Sequence, residues 1–165
     1  MNKRMIDAHM KVAETYANLS YASRLKVGAI VVKDNRVISI GYNGTPSGWS
    51  NQCEEYDFVK DGPEVDYTEM VNNGYTFGVD KEVSGYVKSK TKAEVIHAEA
   101  NAIAKLARTN ESGLDSEMFI THAPCIECAK LIFAAGIKSV YFKNFYRELN
   151  GLEFLKKCNV KVEQV

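Results

Sequence analysis

The run Met118-Phe119-Ile120-Thr121, then Pro124-Cys125-Ile126-Glu127-Cys128 opening a stretch to Ala135, then Ser139-Val140-Tyr141-Phe142 decides how this chain folds. Its two ends are short, apolar and β-rich. Between them the apolar residues recur at helical spacing, with Pro124 suited to the edge of a helix. Strand, helix, strand is the unit of a parallel sheet. The pattern continues on both sides. Upstream, His97 to Arg108 reads as a helix whose apolar positions are Ala100, Ile103, Ala104 and Ala107. Downstream, Leu149 to Lys157 reads as a helix and Val160 to Val162 as a strand. The beginning of the chain differs. Met5, Ile6, His9, Met10, Ala13, Tyr16 and Ala17 mark an amphipathic helix, with His9 at the edge of a core. Val27 to Val32 and Val37 to Ile40 are apolar runs joined by Lys33-Asp34-Asn35-Arg36, which is hairpin chemistry. The first run hardly alternates, so it is expected to be buried on both faces.

These elements predict a three-layer α/β domain around a mixed five-stranded sheet, mostly parallel, with the opening hairpin as its antiparallel part. Gly41 to Gly48, rich in Gly, Asn and Pro, predicts a structured loop after the second strand. From Asn51 to Ala93 the periodicity fades and acidic residues crowd a segment too long for a plain connection. The expected organisation is one catalytic domain over residues 1–165, with an insertion of short elements at about 51–93.

Composition narrows the partners. Among 165 residues, 21 Lys and Arg balance 21 Asp and Glu, so the chain has no general attraction for a nucleic acid or an acidic membrane. A small-molecule partner is expected. No apolar run reaches the ~20 residues of a membrane span, and the basic N-terminal residues lack the apolar stretch of a secretory signal. The four cysteines, Cys53, Cys125, Cys128 and Cys158, are too few for a disulfide scaffold. The expectation is a cytoplasmic protein whose thiols serve a metal or a reaction.

The chemistry lies in His97-Ala98-Glu99 and Pro124-Cys125-Ile126-Glu127-Cys128. One imidazole and two thiolates are zinc donors, and three protein ligands leave the fourth position open to water, as in a hydrolytic site. Cys125 and Cys128 share a helix face, whereas His97 and Glu99 serve one site only if it lies off a helix end. Two helix N-termini then converge on one metal, and their positive ends stabilise thiolates. Glu99 is left as the proton carrier, best suited with its pKa raised by a dry pocket. Closure of a four-ligand structural site by Cys53 or Cys158 would leave Glu99 without a purpose.

His-x-Glu followed by Pro-Cys-x-x-Cys resembles the signature of the zinc-dependent cytidine and deoxycytidylate deaminase superfamily. Ser23-Arg24-Leu25-Lys26-Val27-Gly28-Ala29, Gly41-Tyr42-Asn43-Gly44 and Tyr146-Arg147 are similar to the deoxycytidylate (dCMP) deaminases within it. The resemblance covers about residues 5–19, 23–49 and 95–162. It implies a cytidine-deaminase-like fold and hydrolysis of dCMP to dUMP and ammonia, supplying thymidylate synthesis. It implies one Zn²⁺ per chain on His97, Cys125 and Cys128, with Glu99 catalytic. Asn43 would meet the deoxyribose 3′-hydroxyl, Ala98 and Ala123 would read the cytosine edge through backbone groups, and Arg24, Tyr146 and Arg147 would hold the 5′-phosphate. Arginine's planar fork suits that last task.

The resemblance further implies a homohexamer activated by dCTP with Mg²⁺ and inhibited by dTTP. Tyr42, Asn43, Gly44 and Arg108 would belong to that allosteric site, near a neighbouring subunit. Two residues depart from the family pattern. Ser23 stands where a cysteine of a second, structural zinc is common, and His122 stands where a small or aliphatic residue is usual. The rival readings are a deaminase of another cytosine nucleoside, nucleotide or base, and a non-catalytic nucleotide-binding zinc module. Neutral net charge counts against a tRNA substrate, and Glu99 counts against a silent module.

Overall fold

In the computed structural model, which describes residues 1–80 and 83–165, helix α1 (Lys3–Ala17) opens the chain. Asn2 caps it, its side chain accepting from the Met5 N–H at 3.0 Å. Strands β1 (Gly28–Lys33) and β2 (Arg36–Tyr42) form the expected hairpin. Asp34 and Asn35 both hold positive φ, as a two-residue type I′ turn requires. Then come α3 (Ala98–Leu106), β6 (Glu117–His122), α4 (Ile126–Ala134), β7 (Ser139–Asn144), α5 (Asn150–Lys157) and β8 (Lys161–Gln164). Between β2 and α3 lie β3 (Glu54–Lys60), α2 (Tyr67–Asn72), β4 (Thr76–Asp80) and β5 (Val83–Thr91).

The main sheet has the order β2-β1-β6-β7-β8. Its β6–β7 and β7–β8 pairs are parallel, whereas β1 runs antiparallel to both β2 and β6. The sheet is mixed, but not mostly parallel. The reversal at β1–β6 was not legible because both strands are apolar throughout, and a doubly buried strand carries no mark of its direction.

Burial explains the uniform β1. Ile30 and Val32 face α1, joining Ile6, Met10, Ala13, Phe119 and Tyr141 in one core. Ala29 and Val31 face the opposite way, into a larger core with Ala98, Ala102, Met118, Ile120, Ala129, Ile132 and Leu155. One helix therefore covers one face of the sheet and α3, α4 and α5 cover the other. His9 is buried in the α1 layer, 5.2 Å from the Phe119 ring centre, and its Nε2 has no hydrogen-bond partner among the described residues.

Residues 54–91 build a second antiparallel sheet, ordered β3-β5-β4. Residues 81 and 82 of the insertion expected over 51–93 lie outside the described residues. Among the described residues no helix is long and apolar enough to cross a membrane.

Candidate active site

Two helix starts supply the reactive side chains. His97 is the N-cap of α3 and Cys125 the N-cap of α4, both with extended backbone, and neither side chain makes a capping hydrogen bond. Both are thereby left to face the space between the helices. Cys128 lies one turn into α4. His97 Nδ1 stands 3.6 Å from Cys125 Sγ and 3.4 Å from Cys128 Sγ, and all three donor atoms lie within 4.8 Å of one another.

The donor set fits zinc. With Zn–S near 2.3 Å and Zn–N near 2.0–2.1 Å, the nitrogen-to-sulfur edge of a tetrahedral site is about 3.6 Å. Both separations, 3.6 and 3.4 Å, lie close to it. Among the described residues no fourth His, Cys, Asp or Glu joins the group. Cys53 is buried with Ala22 and Val95, and Cys158 packs on the main core.

Backbone contacts lock these helix starts in place. A Cβ on Gly41 of β2 would stand 2.1 Å from the Ala98 carbonyl oxygen, so only glycine lets the strand touch the first turn of α3. Gly151 of α5 does the same for the other half, at 2.1 Å from the Pro124 carbonyl oxygen.

Glu99 is 4% exposed, beside the donor cluster but outside it. Burial pushes its carboxyl up to about 7, against the opposing pull of its own backbone N–H and the His97 imidazole. A carboxyl poised there can take and return a proton near neutral pH. Hydrogen bonds from Cys128 and His97 hold the Cys125 thiol well below the ordinary thiol value, which favours a thiolate ligand.

A cavity of about 400 Å³ opens over this group, within the size range of small-molecule sites. It is lined by His97, Ala98, Glu99 and Cys125 at the floor, and by Arg24, Asn43, Ala123, Tyr146 and Arg147 along the walls. The residues singled out from the sequence for metal, catalysis and substrate thus converge there, apart from Cys128, which is buried and does not line the cavity. His122 lines the same cavity, and burial lowers its pKa.

The geometry also restricts what some of them have left to offer. Asn43 Oδ1 accepts from the Val27 N–H and Nδ2 donates to the Leu25 carbonyl, each at 2.8 Å. Its amide chiefly holds the 25–27 turn, leaving one N–H and one lone pair for a ligand. Ala123 donates its N–H to the Asn144 carbonyl at 2.8 Å, so only its carbonyl is left to accept. The Arg147 guanidinium lies over the Tyr146 ring, 5.3 Å from its centre.

A second cavity, of about 320 Å³, lies behind the 41–48 loop. Tyr42, Asn43 and Gly44 line it, together with Asn101 and Lys105 of α3. Arg108, expected in the same group, follows the Ala107 C-cap of α3 and is not on its wall. Lys105 lines that cavity, its ammonium donating to the Ile40 carbonyl at 3.0 Å, and burial lowers its pKa.

The family model for the cytidine and deoxycytidylate deaminase zinc-binding region matches residues 3–144. The chain belongs to this family. The deaminase is 33% identical to deoxycytidylate deaminase of Enterobacteria phage T4 over 168 residues, covering 94% of this chain and 87% of that one. It is 33% identical over 133 residues to deoxycytidylate deaminase of Mycobacterium phage D29, covering 79% and 88%. Among solved structures, dCMP deaminase from the cyanophage S-TIM5 in complex with dCMP and dUMP superposes with a TM-score of 0.77 at 36% identity, over 100% of this chain and 99% of that one.

Reasoning from the sequence missed part of the wall. Leu25, Glu54, Thr91, Val95 and Phe145 also line the deaminase's cavity. Glu54 and Thr91 come from the second sheet, where Glu54 was one acid in a run of similar acids. No local signal set it apart.

Proposed function

We propose that this chain hydrolyses dCMP to dUMP and ammonia, with one zinc ion held by His97, Cys125 and Cys128. One observation carries the reading: a buried carboxyl lies beside a three-donor zinc site, under a cavity whose rim bears Arg24 and Arg147. The cyanophage relative, similar over the whole chain, was solved with dCMP and dUMP. When bound, zinc supplies a water nucleophile near neutral pH.

The protein's own groups do the rest. Glu99 takes one proton from the attacking water and gives it to the pyrimidine ring nitrogen as the C4–O bond forms; it then takes the second proton from the new C4 hydroxyl and gives it to the amine, which leaves as ammonia as the C4–N bond breaks and the C4 carbonyl forms. Ala98, on an α3 terminus without a side-chain cap, offers backbone N–H to the base, and Ala123 offers its carbonyl to the exocyclic amine. The spare N–H of Asn43 meets the deoxyribose 3′-hydroxyl. Arg24, Tyr146 and Arg147 take the 5′-phosphate, where charge-assisted hydrogen bonds favour a nucleotide over a nucleoside.

Regulation belongs to the same reading: dCTP with Mg²⁺ activates and dTTP inhibits, acting in a cytoplasmic homohexamer. Support comes from Asn43, which lines both cavities and ties the loop of one to the turn of the other. In this reading residues 1–165 are one catalytic domain. An absorbance assay of the zinc-loaded protein against dCMP, deoxycytidine, cytidine and dCTP, with and without dTTP, tests it. The expected result is preference for dCMP and inhibition by dTTP. Equal turnover of deoxycytidine would remove the phosphate assignment, and absence of turnover with zinc bound would favour the silent module.

A further inference from the structure

Strands β3 to β5 look like an appendage to the main fold, because among the described residues their sheet pairs with none of the main strands. Their root tells otherwise. Glu54, the first residue of β3, is 3% exposed and forms part of the active-site wall. Its carboxylate accepts from the Ser23 N–H, at 3.1 Å to one oxygen and 3.2 Å to the other, and from the Arg24 N–H at 3.2 Å. Thr91 faces Glu54 across the β3–β5 pair, and its Oγ1 lies 3.5 Å from Arg24 Nη1. Beside them, Ser23 Oγ and Tyr56 Oη are 3.0 Å apart.

Burying a carboxylate is costly unless its charge is satisfied, so a Glu at this position needs those donors. Burial raises its pKa, yet the two backbone N–H groups, the Ser23 side chain and the Arg24 charge bring it net below the usual value. The acceptor is therefore an anion, whose hydrogen bonds are roughly twice as strong as neutral ones. The far side of the same turn is held by Asn43, through Leu25 and Val27. Arg24 thus hangs between two clamps, one from Asn43 in the loop after β2 and one from the second sheet.

We propose that Glu54 is the positioning residue of the phosphate subsite: with Thr91 it fixes the Ser23-Arg24 turn so that Arg24 faces the 5′-phosphate, which makes the second sheet part of nucleotide recognition. The proposal rests on the phosphate reading above. Glu54 acts through Arg24 and does not touch the base.

Glu54→Gln keeps the shape and removes the charge. Steady-state kinetics of the zinc-loaded protein, on dCMP and on deoxycytidine, should show KM for dCMP raised about tenfold. The kcat and the deoxycytidine KM should stay within about twofold, since the reacting groups are untouched. Combined with Arg24→Ala, the variant should be no worse than Arg24→Ala alone, because both remove the same interaction. Glu54→Asp, which keeps the charge, should recover part of the loss. Equal losses on both substrates, or full additivity with Arg24→Ala, would make Glu54 merely structural and overturn the proposal. If Glu54→Gln fails to fold, Thr91→Val decides: a raised KM for dCMP alone supports the clamp, and an unchanged KM refutes it. Wild-type protein that uses deoxycytidine as well as dCMP would instead overturn the phosphate reading, and this proposal with it.

Discussion

Gly151→Ala sets two effects of opposite sign against each other. By helix propensity the change should stabilise α5 by up to ~1 kcal/mol. By packing it should do the reverse. An alanine Cβ at 151 would stand 2.1 Å from the Pro124 carbonyl oxygen and 2.9 Å from the Cys125 carbonyl carbon and oxygen. Side-chain carbons essentially never approach closer than 3.0 Å, so α5 and the Pro124-Cys125 backbone must separate by at least 0.9 Å. That backbone is no flexible side-chain tip. It carries a metal donor, and zinc sites tolerate only about 0.2 Å of error in ligand distance.

Overpacking of this kind costs about 1–3 kcal/mol and exceeds the propensity gain. The expected net loss is about 1–2 kcal/mol, or roughly 2–8 °C in Tm at this chain length. Zinc affinity should fall about 10–100-fold, the effect seen when a ligand's support is disturbed. Thermal unfolding with and without zinc, and competition against a chromophoric chelator, read the two quantities separately. Gly62→Ala is the control, since nothing lies within 4 Å of its would-be Cβ. A Gly151→Ala protein with raised Tm and unchanged zinc affinity would refute the claim that α5 sets the position of Cys125.

Four further outcomes are expected. Glu99→Gln should keep zinc, measured by elemental analysis, and lose about 10²–10⁴ in kcat. In the metal-free protein the same variant should gain stability over wild type as pH rises. Glu99 has a folded pKa raised from 4.5 to about 7, so wild type loses stability through that window while glutamine loses none; the gap should reach about 3 kcal/mol at pH 8 by urea denaturation. A gap that ignores pH would remove the burial argument. Arg147→Ala should raise KM for dCMP about tenfold and leave that for deoxycytidine nearly unchanged, because in the proposed reading the guanidinium meets the 5′-phosphate, which the nucleoside lacks. Dialysis against a chelator should abolish turnover and lower Tm, with both restored by stoichiometric Zn²⁺; retained activity in zinc-free protein would end the metal reading.

Local signals account for most of what could be read in advance. Hairpin chemistry at Asp34-Asn35, apolar spacing in α1 and the strand-helix-strand run all report on neighbours a few residues away, and each element appears where it was read. The direction of β1 against β6 depends instead on how two uniformly apolar strands meet, which neither encodes alone. The zinc donors were legible because their chemistry is rare: two cysteines and a histidine with set spacings exclude most alternatives. Asn43 shows the limit of that reasoning. Its placement beside the cavity was expected, yet much of its amide is committed to Leu25 and Val27, partners a motif does not reveal.

Glu54 extends the point from recognition to causation. Nothing in Asn51 to Ala93 distinguishes it from Glu55, Asp57 or Asp61 until the fold brings Ser23 and Arg24 against it. The capping positions make the complementary case. His97 and Cys125 occupy sites where Ser, Thr, Asp or Asn would stabilise a helix by about 0.5–2 kcal/mol, and neither makes the capping bond. Both helices forgo local stability and leave those side chains free to face each other across a donor group that fits zinc, and the close contacts at Gly41 and Gly151 hold those weakened ends in place. Caps that forgo their local bond therefore mark the candidate site in this chain, whereas Glu54, one acid among several in β3, is set apart only by the Ser23 and Arg24 N–H groups that the fold brings against it.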